Sequence, residues 1–301
     1  MSAPERARRS LEMLALGDSF GEQFFGDSAR VIPLIRKRVL PSAPWNYTDD
    51  SEMAFSIVEE LFEFGLINQD SLAKRFAERM EPTRGYGAGT YELLTGVLAG
   101  RGWRSLSYAG FRGMGSFGNG AAMRVAPLGA FFASRKLESI AEQARLSAEV
   151  THAHPEGIAG AVAVAVATAL AWRCRDVPGP LSAIWLEQVR DATPAGYTRD
   201  AITEAMSVPH DASVVEAAAK LGNGSGVTAP DTVPLCLWVA AYADNLTDAL
   251  WDTVGGLGDR DTTCAIVAGI LGARFDDSRV PNWHQHREPF PWALPSLKTP
   301  A

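Results

Sequence analysis

The sequence predicts an all-α fold, and three of its features carry that expectation. Segments with apolar residues at helical spacing dominate the chain, and strand-type alternation is nearly absent. One Ala-rich stretch, Ile158 to Trp172, has so few polar positions that other helices must surround it on most sides. The helix-like segments run over Glu52 to Phe64, Gln69 to Met80, Ala121 to Phe132, Leu137 to Thr151, Gly157 to Arg173, Val214 to Lys220, Val233 to Tyr242 and Thr262 to Ala273. Thr48-Asp49-Asp50 gives the first a capping start, and Pro155-Glu156 opens the Ala-rich one, because proline in a first turn gives up only an N–H that has no helical partner. Gly, Pro and Trp gather in the intervening loops: Pro41 to Trp45, Arg84 to Gly89, Arg112 to Gly120, Pro178 to Pro180, Gly222 to Gly226, and the stretch from Pro281 onward. No repeat, low-complexity block or linker divides the chain. One domain is therefore expected over residues 1–301, with its core near 10–275 and a Pro-rich tail over 276–301.

Composition fits a globular protein: 301 residues, 47% hydrophobic and 21% charged, enough for one large core. A net charge of -7 argues against general nucleic-acid binding, which needs clustered Lys and Arg to displace counterions, although a local basic pocket stays open. Cys174, Cys236 and Cys264 are odd in number and set in apolar stretches, so they read as small hydrophobes rather than as a disulfide framework or a zinc knuckle. The N-terminal apolar run, Met13 to Leu16, is too short for a secretory signal, and Ile158 to Trp172 is too short for a membrane span. A cytoplasmic protein without membrane association is the expectation.

Four segments carry chemistry. Thr48 to Glu52 packs three carboxylates and two hydroxyls into five residues. Capping and helix-dipole complementation account for such a start. The sharper reading is a set of ionised hard-oxygen ligands for Mg²⁺. Asp259, Asp261 and Thr262 repeat the pattern behind Gly255-Gly256-Leu257-Gly258, where a cap explains one acid but not both. Two such starts repel each other if brought together without cations. Gly113 to Arg124 is a glycine-rich loop running into an apolar segment, suited either to cradling phosphate oxygens with backbone N–H groups or to a close helix contact. It is not a P-loop, since no Gly-Lys-Ser/Thr follows. Thr151-His152-Ala153-His154-Pro155 ends one helix and opens the next, where histidine is more often a cap or packing residue than a ligand, and no zinc-ligand spacing accompanies it.

These blocks, in their order, resemble the ADP-ribosylglycohydrolase family. The matching stretches are Leu16 to Gly21, Tyr47 to Glu52, Gly115 to Arg124, Thr151-His152 and Gly258 to Thr262, spanning residue 16 to roughly residue 274. The resemblance implies a compact all-α domain whose central cleft holds two metal ions, Mg²⁺ with Mn²⁺ as the alternative. Thr48, Asp49 and Asp50 would ligate from one side, and Asp259, Asp261 and Thr262 from the other. It also implies that Gly115, Ser116, Phe117, Gly118 and Asn119 wrap the diphosphate of ADP-ribose, with His152 beside the same ligand. The implied reaction is hydrolysis at the anomeric carbon of the distal ribose of an ADP-ribosylated protein or a related conjugate, with Asp49, Asp50 or Glu22 managing protons. The alternatives are a metal-dependent hydrolase of another ribosyl or phosphate compound, or a non-catalytic ADP-ribose-binding protein. The chain departs from the family at four points: Phe25 stands where a glutamate is common, three residues after Glu22; Ser51 replaces a threonine; Leu257 replaces a glycine; and Arg260 separates the two late aspartates. The groups that read the aglycone are expected in the loops Ile32 to Pro44 and Pro178 to Gly196.

Overall fold

The computed structural model describes residues 1–294, and its regular elements among them are all helical. In chain order they are α1 (Ala3–Glu22), α2 (Ser28–Arg36), α3 (Asp49–Phe64), α4 (Gln69–Arg79), α5 (Ala88–Leu98), α6 (Trp103–Gly113), α7 (Ala126–Phe131) and α8 (Leu137–Glu149). The second half supplies α9 (Pro155–Arg173), α10 (Ser182–Ala192), α11 (Tyr197–Ala205), α12 (Val214–Leu221), α13 (Ala229–Tyr242), α14 (Leu246–Gly255) and α15 (Arg260–Arg274). Two 3-10 turns, Asn119–Ala121 and Asp277–Arg279, complete the set.

The Ala-rich helix α9 is buried along almost its whole length, with α7, α8, α10, α13 and α15 around it. Among the described residues it alone is long and apolar enough to cross a membrane, and 83% of its apolar window is buried inside the protein. Helices α1 and α15 form the other axis of the core. They approach so closely that a Cβ added at Gly17 would lie 2.3 Å from the Cys264 carbonyl oxygen, and one at Gly21 would lie 2.2 Å from that of Arg260. Gly272 answers from the opposite side, where an added Cβ would meet that of Met13 at 2.5 Å. Small residues at these crossings let the two backbones touch. The acidic start of α15 therefore lies against the last turns of α1.

Three sequence expectations change. The predicted helix over Ala121 to Phe132 is instead a 3-10 turn followed by the short α7, because Pro127 disfavours helical backbone before it and starts a new helix in its own first turn. The expected recognition loops contain helices: α2 covers Ile32 to Arg36, and α10 lies within Pro178 to Gly196. The tail packs back on the domain as far as it is described. Trp283 stacks on Phe20 at 5.2 Å, the Trp45 N–H donates to the His286 carbonyl at 2.6 Å, and Glu288 accepts from the Tyr47 N–H at 3.0 Å. Residues 295–301 of that tail lie outside the described residues.

Gly17→Ala tests the α1–α15 crossing. The new methyl meets backbone that has no rotamer to change, so the helices must separate, at about 1–3 kcal/mol. Urea denaturation should show that loss. Gly110→Ala, where an added Cβ meets nothing within 4 Å, should stay within about 0.5 kcal/mol of wild type.

Candidate active site

The start of α3 is built on a buried carboxylate that belongs to α1. Asp18, fully buried, accepts from the Thr48 N–H at 2.9 Å, the Thr48 hydroxyl at 2.8 Å and the Ser51 N–H at 3.2 Å, and also from the Ser51 hydroxyl. Ser51 thus keeps the donor that a threonine would offer. Thr48 is the N-cap, its oxygen accepting from the Asp50 N–H at 3.3 Å, so the capping account of this residue holds. It explains neither aspartate that follows. Asp50 is buried, and its Oδ1 has no hydrogen-bond partner.

The start of α15 is not a cap of the ordinary kind. Asp259 occupies the N-cap position without any side-chain bond to the helix, and its Oδ2 accepts instead from the Asn119 amide at 2.7 Å. The same amide donates to Thr232 at 3.0 Å, which fixes the glycine loop to the late acidic cluster. The turn before it is left-handed at Leu257 (φ 60°) and Gly258 (φ 68°). A side chain at residue 258 would collide with the Asn223 carbonyl, 2.2 Å from the new Cβ, so glycine is required there, while Leu257 tolerates a conformation costing roughly 1–2 kcal/mol for a residue with a Cβ. Arg260, set between the two aspartates in sequence, packs over the Phe25 ring at 5.2 Å.

Both acidic starts face one cleft of about 710 Å³. Asp49 and Asp50 line it from α3, Asp259, Asp261 and Thr262 from α15, and Ser116, Gly118, Asn119, Gly120, Thr151 and His152 from the glycine loop and the turn after α8. Gly85, Gly87 to Thr90, Arg101 and Phe111 also line it. Burial raises Asp50 well above the usual carboxylate range, and the like charges of Asp261, Asp18, Asp49 and Asp259 raise it further. Asp49 is pushed up to about 8, by burial first and then by Asp18. Asp261 is raised by burial and by Asp259. No three Asp, Glu, His or Cys side chains stand at metal-ligand spacing among the described residues. The wall is a set of hard oxygens that oppose one another's ionisation.

The glycines of the loop serve the fold as well as the cleft. A Cβ at Gly115 (φ 74°) would lie 2.6 Å from the His154 nitrogen, and one at Gly120 would lie 2.9 Å from His152 Nε2. The loop therefore rests directly on the histidine turn. Because a 3-10 turn rather than an α-helix follows, no helix dipole reinforces the loop's N–H groups. His154 is the cap that its position suggested, accepting from the Glu156 N–H at 3.1 Å. His152 is different: it lines the cleft, and its Nδ1 pairs with the Thr151 hydroxyl at 2.7 Å.

The acidic pair of helix starts facing a glycine loop agrees with a family-level match. The ADP-ribosylglycohydrolase family model matches residues 2–295. The chain belongs to the ADP-ribosylglycohydrolase family. It is 28% identical to the ADP-ribosylhydrolase ARH3 of Gallus gallus, over 95% of this chain and 90% of the relative, and 29% identical to that of Homo sapiens, over 80% and 74%. A solved structure, the "ADP-ribosylglycohydrolase-related protein complex", superposes with a TM-score of 0.68 at 21% identity, over 95% of this chain and 93% of the other, which shows a common fold. The enzyme class follows from the family: a glycosidic hydrolase of the ADP-ribosylglycohydrolase type.

Not every sequence candidate reaches the cleft wall. Gly115 and Phe117 do not line it, the exposed Phe117 ring packing against Phe111 and His154, and Thr48 is held back by Asp18. Glu22 is the last residue of α1 and does not line the cleft; burial raises its carboxyl, with Asp18 and Asp259 adding to the effect. Phe25 lies past the helix end, half under Arg260. Sequence reasoning passed over Asp18 as a site residue, although it sits in the first matching block. A buried Asp in the middle of an apolar helix face was the available signal.

Burial, and then the charge of Arg124, pushes the His152 imidazole from its ordinary 6.5 down to about 3. The unfolded chain therefore takes up this proton first as pH falls. The contribution to stability is complete above pH 6.5 and is lost progressively toward pH 3. Melting temperature measured from pH 7 to pH 4 should fall more steeply for wild type than for His152→Gln.

Proposed function

We propose that the enzyme hydrolyses the glycosidic bond between the distal ribose of ADP-ribose and a protein side chain or a related conjugate, with Mg²⁺ as its cofactor. The observation that carries this reading is one cleft lined both by carboxylates from two helix starts and by the glycine loop. The buried Asp50 Oδ1 without a partner and four mutually repelling carboxylates are the donor chemistry a hard divalent cation satisfies. Asp49, Asp50, Asp259, Asp261 and Thr262 would hold the ions from the cleft, and Thr48 would join them only by turning its hydroxyl away from Asp18. When bound, the cations supply the positive charge that orients the ribose hydroxyls and polarises a water.

The chain's own groups divide the remaining work. Backbone N–H groups around Ser116 and Gly118 bind the diphosphate, and Asn119 holds Asp259 in place against the loop. As water adds to the anomeric carbon and the glycosidic bond breaks, its proton passes to a carboxylate on the wall, and the departing side-chain atom takes up a proton. Asp49 suits that transfer, because its carboxylate faces the cleft from the start of α3. Glu22, off the wall, stands outside the transfer. The ARH3 relatives carry "ADP-ribosylhydrolase" in their names, which favours ADP-ribose over another ribosyl compound.

Calorimetric titration should show Mg²⁺ binding to wild type and a matching rise in melting temperature, as for any ligand selective for the native state. Both should vanish in Asp50→Asn with Asp261→Asn; persistent binding would remove the metal assignment. For proton transfer, Glu22→Gln should keep turnover of an ADP-ribosylated protein within about threefold, whereas Asp49→Asn should lose on the order of a hundredfold with ADP-ribose affinity retained. The reverse pattern would move the proton-handling role to Glu22.

A further inference from the structure

We propose that His152 is a tautomerically fixed donor, its Nε2–H presented to the ligand beside the glycine loop, and that Thr151 and Arg124 are the positioning residues that lock it in this form. The inference rests on the reading that an oxygen-rich ligand occupies the cleft. Its structural basis does not need a ligand.

Hydrogen-bond logic runs outward from Arg124. This side chain is fully buried, lies over the Phe76 ring at 4.4 Å, and donates through Nη2 to the Ser147 carbonyl at 3.2 Å and to the Thr151 hydroxyl oxygen at 2.8 Å. A guanidinium has only donors, so Thr151 Oγ1 must accept in that contact. Its one proton then needs an acceptor, and His152 Nδ1 lies at 2.7 Å. No other acceptor is within reach of this hydroxyl among the described residues, and leaving a buried O–H unpaired costs about 1–3 kcal/mol. Nδ1 is therefore the bare nitrogen, and a neutral imidazole carries its hydrogen on Nε2.

Geometry then aims that hydrogen. Nε2 and the adjoining Cε1 form the edge of the ring that faces the loop: Nε2 lies 3.3 Å from where a Cβ at Gly118 would stand and 2.9 Å from one at Gly120, with Cε1 at 2.8 Å from the latter. Glycine at both positions leaves space for the ring against the loop. Burial and the Arg124 charge oppose a second proton, so the donor stays neutral through the physiological range. A ligand group meeting it must be an acceptor oxygen, either of a phosphate or of a ribose.

Long-range nitrogen–proton NMR of ¹⁵N-histidine-labelled, ligand-free protein reads the tautomer directly, with His152→Gln identifying its signals among the five histidines. Expected is an unprotonated Nδ1 and a protonated Nε2 from pH 5 to pH 8. Thr151→Val, nearly the same shape without the hydroxyl, should abolish the preference and weaken ADP-ribose binding about tenfold, the worth of roughly one hydrogen bond. Thr151→Ser should restore both. A protonated Nδ1 in wild type, or an unchanged tautomer in Thr151→Val, would overturn the relay. Undiminished ADP-ribose affinity in His152→Gln would overturn the ligand contact. Failure of wild type to bind ADP-ribose would instead count against the functional reading, and the ligand-free spectrum would still decide the tautomer.

Discussion

The site depends on one buried carboxylate. Asp18 sits inside α1, at the level where that helix meets α15, and takes hydrogen bonds from Thr48 and Ser51 at the start of α3. A carboxylate buried this deeply is costly unless it is fully bonded, and the two hydroxyls and two backbone N–H groups of α3 supply those bonds. The same contacts fix where Asp49 and Asp50 emerge. Gly17 and Gly21, flanking Asp18 on α1, let α15 lie against the helix, and this sets the place of Asp259 and Asp261. Helices α3 and α15, both seated on α1, thereby deliver their acids to one cleft, and mutually repelling carboxylates are held there by close helix packing.

Such a wall is frustrated by itself. Asp50, Asp49 and Asp261 are all raised by burial and by each other, and the one arginine within the late acidic run is packed on Phe25. A neutralising lysine or arginine would relieve the repulsion and fill the cleft. The largest influences on Asp50 are its burial and four neighbouring carboxylates, a charge that a bound cation would balance. The glycine loop and the turn after α8 bring no charge to the cleft: glycine backbone, Ser116, Asn119 and a neutral His152. A ligand with diphosphate at one end and ribose hydroxyls at the other matches this division, because the anionic end meets neutral N–H donors and the hydroxyl end meets the acids.

Phe25 and Arg260, two positions read from the sequence as departures from the family pattern, meet in space. The Phe25 ring and the Arg260 guanidinium stack at the end of α1, just outside the cleft, and Glu22 stands one turn inside them. A single helical turn shifts a side chain by about 5 Å, more than a proton-transferring group tolerates, which is the argument for the proposed assignment to Asp49 over Glu22. Ser51 shows the contrary case. It retains the hydroxyl that Asp18 needs, and the substitution leaves the hydrogen-bond pattern intact.

The all-α class, the buried Ala-rich helix and both acidic clusters were legible in the sequence, because helical periodicity and helix-start chemistry are local and recur within a few residues. Helices α1, α2, α5, α6, α10, α11 and α14 were not marked: glycines or a proline blur the periodicity of α1, α2, α5 and α6, while α10, α11 and α14 are only 9 to 11 residues long and offer few apolar repeats. The helix expected over Ala121 to Phe132 failed at Pro127, a local signal outweighed by an apolar run. What the chain order alone left open was every relation across large sequence separations. That Asn119 holds Asp259, that Asp18 holds Thr48, and that Arg124 reaches His152 through Thr151 are decided by which helices touch. Hydrogen bonds between distant residues leave no spacing to read, and only the packed core brings their donors and acceptors within reach of each other.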